Sequence, residues 1–227
     1  MTSQGKPNRP PVPLLQRIWR EASRPFRPRP KRVIRIRVPP PPPQPPEFDP
    51  QSCTVEPEGI EFLQRLVREA ADHPGPIVEV GTLAGITATQ MALVKRPDQR
   101  IITVDNYSWN PWRLKPDHHF ALARQVLYYL IPTGQVEQIR QDRLEFYRTY
   151  AGPPPALVFL DAVHTYEATK EDIEWARQAQ AHLIAGHDYA PRFPGVVQVV
   201  DEFGLRDLGG TVWVLRPTAQ TAARRAA

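Results

Sequence analysis

Cysteine is almost absent from the 227-residue chain, in which Cys53 is the only one. A single thiol excludes an intrachain disulfide, so we expect a reducing compartment. No apolar run approaches the ~18 residues needed to cross a bilayer, and the start of the sequence lacks the apolar core of a secretory signal. These absences predict a cytoplasmic protein without a transmembrane segment.

Acidic residues are scarce in residues 1–50, which hold 11 Lys and Arg against 3 Asp and Glu, together with 15 of the 28 prolines. The run PPPPPQPP at 39–46 is typical of polyproline II, which has no internal hydrogen bonds. We expect residues 1–50 to be a mostly disordered basic arm that docks on a protein or an acidic surface, or that remains a solvated tail. A nucleic-acid partner is not expected, because Arg/Pro runs without repeated aromatics are unspecific.

From about residue 55 the sequence alternates between short apolar runs and segments with helical periodicity. The predicted strands are PIVEVG, RIITVD, VEQIRQ, ALVFLD, HLIAGH and TVWVLRP. Such alternation predicts a doubly wound, mostly parallel α/β sheet of the Rossmann-like kind, with helices on both faces. We place this domain at residues 51–218 and a flexible tail at 219–227.

A complete dinucleotide motif is also missing. VEVGTLAG at 78–85 gives Glu79-x-Gly81-x-x-x-Gly85 at a strand-to-helix turn, with an acid where G-x-G-x-x-G has its first glycine. That carboxylate suits a ligand with a cationic group better than a diphosphate. An ordinary tight turn remains an equally good interpretation of these two glycines.

Two further acids follow the next predicted strands. Asp105 ends the second strand, where a carboxylate can accept hydrogen bonds from both hydroxyls of a ribose. Asp142 follows the third strand and either meets a ligand or caps the next helix.

This set of residues resembles the S-adenosylmethionine site of class I methyltransferases. More narrowly, IVEVGTLAGITA, LDAVHTYEATKEDIE and IAGHDY…GVVQVVDEF resemble small-molecule O-methyltransferases, a group that includes macrolide-sugar and rhamnosyl O-methyltransferases and cephalosporin hydroxylase-like proteins. The resemblance covers about residues 55–216. It implies S-adenosylmethionine as cofactor and a binding site made of Glu79, Gly81, Thr82, Gly85, Asp105, Asn106 and Asp142.

Polar residues follow the fourth and fifth predicted strands, which end at the same edge of the sheet. Two carboxylates and an imidazole, from Asp161, His187 and Asp188, suit a divalent cation that keeps positions open for substrate oxygens. Metal-dependent relatives, including the catechol type, carry acids or amides at matching positions. His187 departs from several of them, so Mg²⁺ is the first expectation, Mn²⁺ and Fe²⁺ remain open, and His187 need not bind the ion.

His164 lies three residues after Asp161, on the loop before the next helix. Its imidazole is suited to deprotonate an acceptor hydroxyl near neutral pH, and in the macrolide-sugar enzymes the matching histidine is a proposed base. We therefore predict His164 and Asp161 as catalytic residues. The alternatives are that Asp161 caps the following helix and that His187 is a hydrogen-bonded core residue.

The segment 106–120 is rich in aromatic and histidine residues. Tyr107, Trp109 and Trp112, with Tyr189 from a later loop, are candidates for stacking on the acceptor. Equally, the aromatics of this segment can seal the cofactor or form core. We expect His118 and His119 on the surface at the start of a helix.

Together these features predict an O-methyltransferase that is assisted by a divalent metal. It would act on a hydroxyl of a sugar, a glycoside or a phenolic natural product. The alternatives are a catalytically silent cofactor-binding protein recruited by its arm and a redox, hydroxylase-like relative. The sequence does not predict the oligomeric state.

Overall fold

The computed structural model describes residues 54–205 and 207–216. The strands are β1 Ile77–Val80, β2 Ile101–Asp105, β3 Val136–Arg140, β4 Leu157–Leu160, β5 Leu183–Gly186, β6 Asp207–Gly209 and β7 Val212–Leu215. The α-helices are α1 Pro57–Glu69, α2 Ile86–Ala92, α3 Pro116–Val126, α4 Arg143–Thr149, α5 Tyr166–Gln178 and α6 Pro194–Glu202. The predicted arm and tail lie outside the described residues. Within them, none of these helices has the length and apolarity to cross a membrane.

The strands form one sheet in the order β3-β2-β1-β4-β5-β7-β6. β1 to β5 are parallel to their neighbours, whereas β7 runs antiparallel to β5 and β6 antiparallel to β7. This confirms the predicted Rossmann-like, mostly parallel sheet. The sequence does not predict β6, because this edge strand has three residues and two of them, Asp207 and Leu208, are exposed.

Alternate residues of each strand face two separate helix layers. Ile77 and Leu157 pack with α1 and α2 on one face of the sheet. Val78 and Val158 pack with α5 and α6 on the other face. Burial on both faces explains why the central strands are continuous apolar runs in the sequence. Each fully buried aliphatic side chain contributes about 1.5–3 kcal/mol to the free energy of unfolding.

Polar side chains mark the first turns of two helices. Asp142 precedes α4, and its Oδ1 accepts a hydrogen bond from the backbone N–H of Leu144 at 2.9 Å, so the capping interpretation of this residue is confirmed. Thr165 precedes α5 and accepts from Ala168 N at 3.3 Å. The cap of α5 is therefore Thr165 and not Asp161, which leaves the Asp161 carboxylate for another role.

A crevice opens where the sheet order reverses. β1 lies between β2 and β4, so the chain leaves β1 and β4 towards opposite faces of the sheet. Backbone hydrogen bonds hold this point together: Gly81 N donates to Val104 O at 2.8 Å, and Asp161 N donates to Val80 O at 2.8 Å. The residues just beyond these bonds surround the candidate site.

Candidate active site at the carboxyl ends of the strands

A cavity of about 430 Å³ lies at the carboxyl ends of the parallel strands, within the range typical of small-molecule sites. Its walls come from the segments that follow successive strands: Gly81 and Leu83 after β1, Asp105, Asn106 and Trp109 after β2, Asp142 after β3, Asp161 and His164 after β4, and His187, Asp188 and Arg192 after β5. A second depression of about 450 Å³, on α1 and β6, is lined mainly by charged side chains and lacks this convergence. The strand-end cavity is therefore the candidate active site.

Gly81 makes the turn out of β1 possible. Its φ of +102° is in the region that favours glycine, and a Cβ at this position would lie 2.1 Å from the carbonyl oxygen of Asp161. No other residue type fits between the ends of β1 and β4 without moving one of them. Gly85, with φ of +79°, is different: a Cβ there would meet the side chain of Leu127 and not the cavity. Gly85 thus serves helix packing, while Gly81 shapes the site.

Asp105 connects two loops at the cavity wall. Its Oδ2 accepts a hydrogen bond from Leu83 N at 2.9 Å, and its Oδ1 accepts from Tyr107 N at 2.7 Å. Both donors belong to residues with positive φ, 44° for Leu83 and 59° for Tyr107. The carboxylate therefore stabilises two strained turns and still borders the cavity, and its remaining lone pairs can accept further hydrogen bonds.

Glu79 lies behind the cavity and not in its wall. It is fully buried, and Thr103 donates a short hydrogen bond to its Oε2. Thr103 also lies 2.6 Å from the hydroxyl of Thr82, so one row of polar groups connects Glu79 to the turn after β1. Burial raises the pKa of Glu79 to about 8, and Oε1 has no hydrogen-bond partner among the described residues. Glu79 and Thr82 therefore support the turn from inside the core.

Asp161, His187 and Asp188 come together, as their positions after β4 and β5 predict. Each offers a ligand atom within 4.8 Å of the other two. His187 Nδ1 lies 3.3 Å from Asp161 Oδ1 and 3.8 Å from Asp188 Oδ1. Asp188 has φ of +60°, an uncommon conformation that holds its carboxylate at this point.

The surroundings of His187 are strongly negative. Burial opposes a charge on its imidazole, but the hydrogen bond to Asp161 and the charges of Asp161 and Asp188 raise the pKa of His187 to about 9. A potential that stabilises a proton on a buried imidazole also favours a bound cation.

The donor atoms of this cluster fit a divalent cation. An octahedral ion with ligands at about 2.1 Å places neighbouring ligands about 3 Å apart and opposite ligands about 4 Å apart. The separations of 3.3 and 3.8 Å between His187 Nδ1 and the two carboxylates lie between these values. Asp188 Oδ1 also accepts a hydrogen bond from Arg192 at 2.8 Å, and its Oδ2 lies 3.3 Å from His164 Nε2.

His164 lies beside the cluster and borders the cavity. Its Nε2 is 3.3 Å from Asp188 Oδ2, and its side chain is 29% exposed, so one edge of the ring can reach a bound molecule. The ring also packs at a tilt against Phe193, with centroids 4.9 Å apart. A carboxylate on one side and an aromatic ring on the other thus fix the orientation of this imidazole.

The aromatic candidates separate into two groups. Trp109 lines the cavity and is 71% exposed, so it is available to stack on a ligand. Tyr107 is fully buried and its hydroxyl accepts from Gln138 at 2.8 Å, which places it in the core. Trp112 and Tyr189 are half-buried and lie outside the cavity lining; Tyr189 donates to Asp201 at 2.8 Å.

The expected surface position of His119 is wrong, because the residue is fully buried. Its Nε2 lies 3.0 Å from Leu83 O and its Nδ1 lies 3.4 Å from Tyr107 O. A ring N–H can donate to one of these carbonyl oxygens, and the two contacts connect α3 to both strained turns. A histidine in a charged helix start gives no sequence signal of such partners.

Several cavity residues escape the sequence prediction, among them Val163, Arg143 and Thr54. Val163 is 45% exposed and adds apolar surface beside His164. Arg143, the first residue of α4, lies at the cavity and is held by Asp172 at 2.5 Å. Thr54 closes the cavity from the segment before α1. Single residues in loops and at helix starts carry no periodicity, so only the fold brings them to the site.

A family comparison identifies this arrangement. Residues 78–189, from β1 to the loop after β5, match the model of a family described as a methyltransferase domain. This region of the chain is thus similar to a methyltransferase domain. The predicted class, a Rossmann-like methyltransferase, is confirmed by this match together with the sheet, and so is the predicted enzyme class.

Solved structures with this fold include several O-methyltransferases. The one from Bacillus cereus, in complex with SAH, has a TM-score of 0.54 and 18% identity, and the match covers 73% of this chain and 84% of that chain. TomG from Streptomyces achromogenes, which is involved in tomaymycin synthesis and is in complex with SAM, has a TM-score of 0.54 and 18% identity, with 73% and 82% covered. A TDP-rhamnose 3'-O-methyltransferase of calicheamicin biosynthesis has a TM-score of 0.51 and 20% identity, with 69% and 77% covered.

At these identities the structural matches establish the fold of the methyltransferase domain. Among the curated proteins, none matches the chain. The acceptor of the methyl group therefore has to be argued from the cavity itself.

Proposed function

We propose that the protein is an S-adenosylmethionine-dependent O-methyltransferase that acts on a hydroxyl of a small molecule with the help of a divalent cation. The observation that carries this proposal is the cavity, which joins the Gly81 turn and Asp105 at one end to Asp161, His164 and Asp188 at the other. One end has the features of a nucleoside-binding site, and the other has a base next to three candidate metal ligands.

The cofactor end is formed by Gly81, Asp105, Asn106 and Asp142, which all border the cavity. Asp105 faces it with a carboxylate that can accept ribose hydroxyls. Glu79 and Thr82 support the turn after β1 through their hydrogen bonds with Thr103. Gly85 supports the site through the packing of α2 against Leu127. The proposal therefore includes all seven predicted cofactor residues. We expect Gly81, Asp105, Asn106 and Asp142 to contact the cofactor directly.

When bound, S-adenosylmethionine supplies a sulfonium methyl group that a hydroxyl oxygen attacks in line, leaving S-adenosylhomocysteine. His164 accepts the hydroxyl proton as the oxygen–carbon bond forms, and Asp188 beside it stabilises the resulting imidazolium. Asp161, His187 and Asp188 would hold the cation, which lowers the pKa of a coordinated hydroxyl. The rest of the catalytic effect comes from holding nucleophile and methyl group in line.

The acceptor end favours a flat or ring-shaped molecule. Trp109 and Val163 expose apolar surface, and Arg192, which is 68% exposed, offers a charged group at the rim. Trp109 suits stacking on a sugar or a phenol ring. Tyr107 does not reach this surface, and Trp112 and Tyr189 remain more distant candidates.

The proposal is tested by measuring transfer of a labelled methyl group to a panel of sugars, glycosides and phenols. We expect transfer to at least one hydroxylated acceptor. Dialysis against a chelator should lower the turnover number at least about tenfold, and added Mg²⁺ or Mn²⁺ should restore it. Turnover that persists unchanged in chelator contradicts the role of the cation, and transfer to none of the acceptors contradicts the proposed acceptor class.

A further inference from the structure

A carboxylate from outside the matched region reaches the candidate metal ligand His187. Glu56 immediately precedes α1, and its Oε2 lies 3.2 Å from His187 Nε2. The two residues are 131 positions apart in the sequence. The imidazole of His187 is thus placed between Glu56 on one side and the Asp161–Asp188 pair on the other.

The two ring nitrogens of His187 have different partners. Nδ1 faces the carboxylates of Asp161 and Asp188, whereas Nε2 faces Glu56 alone among the described residues. A cation can bind only the neutral imidazole, which has one N–H and one lone pair, and an ionised carboxylate can only accept. With Glu56 accepting from Nε2–H, the lone pair of Nδ1 points to the position between Asp161 and Asp188, where a cation would be bound.

The position of Glu56 is itself fixed by the β6–β7 hairpin. Thr211 donates to the Glu56 carboxylate from its backbone N–H and from its hydroxyl, the latter at 3.0 Å from Oε2. Gly210 turns next to it with φ of +59°, and a Cβ there would lie 1.9 Å from Glu56 Oε1. Both groups of Thr211 donate, so the Glu56 carboxylate is held in place as an acceptor.

The same hairpin holds the backbone of His187. Trp213 donates its indole N–H to the carbonyl oxygen of His187 at 3.0 Å, and Tyr189 N donates to Thr211 O at 3.0 Å. The side chain and the main chain of His187 are therefore positioned by one element, which lies outside residues 78–189.

We propose that Glu56 is a positioning residue that presents Nδ1 of His187 to the divalent cation. This inference rests on the cation of the proposed function. It assigns a role to a residue whose sequence context indicates only the start of a helix. It also gives a reason why a histidine can bind the cation here: an imidazole, unlike a carboxylate, has to be oriented so that one nitrogen faces the ion.

The test is titration calorimetry of the full chain with MnCl₂ in the absence of S-adenosylmethionine and acceptor. Glu56→Gln retains the size of the side chain but loses its charge, and we expect Mn²⁺ to bind about 10- to 100-fold more weakly. Glu58→Gln, an exposed change in the first turn of α1, is the matched control and should leave Mn²⁺ affinity unchanged. If Glu56→Gln prevents folding, Glu56→Asp replaces it in the test. This change retains the charge but withdraws the carboxylate by one methylene, and it must show the loss of Mn²⁺ affinity.

A second arm separates positioning from general damage. In a His187→Ala background, Glu56→Gln should cause no further loss of Mn²⁺ affinity, because the ring that Glu56 orients is gone. Equal affinity of Glu56→Gln and wild type overturns the inference, and so does an equal loss in the His187→Ala background. A wild-type protein that binds no Mn²⁺ and no Mg²⁺ overturns the proposed cation as well, which distinguishes the two failures.

Discussion

His164→Gln is expected to lower the turnover number for methyl transfer by about 10²- to 10⁴-fold, the usual contribution of a general base. Glutamine retains a polar side chain of similar reach but cannot take up a proton. The binding of S-adenosylhomocysteine should change little, because His164 lies at the acceptor end of the cavity, 3.3 Å from Asp188.

The matched control is His118→Gln, an exposed change on α3. We expect it to leave turnover and affinity at wild-type values. A His164→Gln enzyme that turns over at the wild-type rate contradicts the role of His164 and leaves the cation as the only source of acceptor activation.

Gly81→Ala is expected to weaken S-adenosylhomocysteine binding by roughly 100-fold. The positive φ of +102° costs a non-glycine residue about 1–2 kcal/mol. The Cβ would also lie 2.1 Å from Asp161 O, and relieving such an overlap costs typically 1–3 kcal/mol. Since Gly81 and Asp161 both line the cavity, the displacement that relieves this overlap moves the cavity wall itself.

Gly134→Ala is the control that separates the cost of a positive φ from the effect of moving the cavity wall. Gly134 also has a positive φ, +71°, but no atom lies within 4 Å of the place its Cβ would take. Its substitution should cost about 1–2 kcal/mol of stability and leave the affinity unchanged. Urea unfolding and calorimetry of both variants provide the two readouts. Wild-type affinity in Gly81→Ala contradicts the assignment of the turn to the cofactor site.

The sequence predicts those parts of the site that directly follow buried strands. Gly81, Asp105 and Asp161 each come after an apolar run, and parallel strands bring such positions to one edge of a sheet. The strand-end rule therefore locates the cavity without a structure. It does not tell which residues reach a ligand: Glu79 and Tyr107 are adjacent to the site in sequence but buried behind it.

Residues whose role depends on distant partners could not be predicted. His119 is buried because two backbone carbonyls, of Leu83 and Tyr107, meet its ring. Glu56 reaches His187 only because β6 and β7 bring Thr211 next to α1. No local pattern of charge or periodicity carries this information, since the contacts are set by the packing of the sheet edge.

The most direct test of the central claim is calorimetric titration of the wild-type chain with S-adenosylhomocysteine. The account predicts saturable binding at one site per chain, weakened by Gly81→Ala and unaffected by Gly134→Ala. If no binding is detected at millimolar ligand, the claim is contradicted: the cavity lined by Gly81, Asp105 and Asp161 is then not the cofactor site of a methyltransferase.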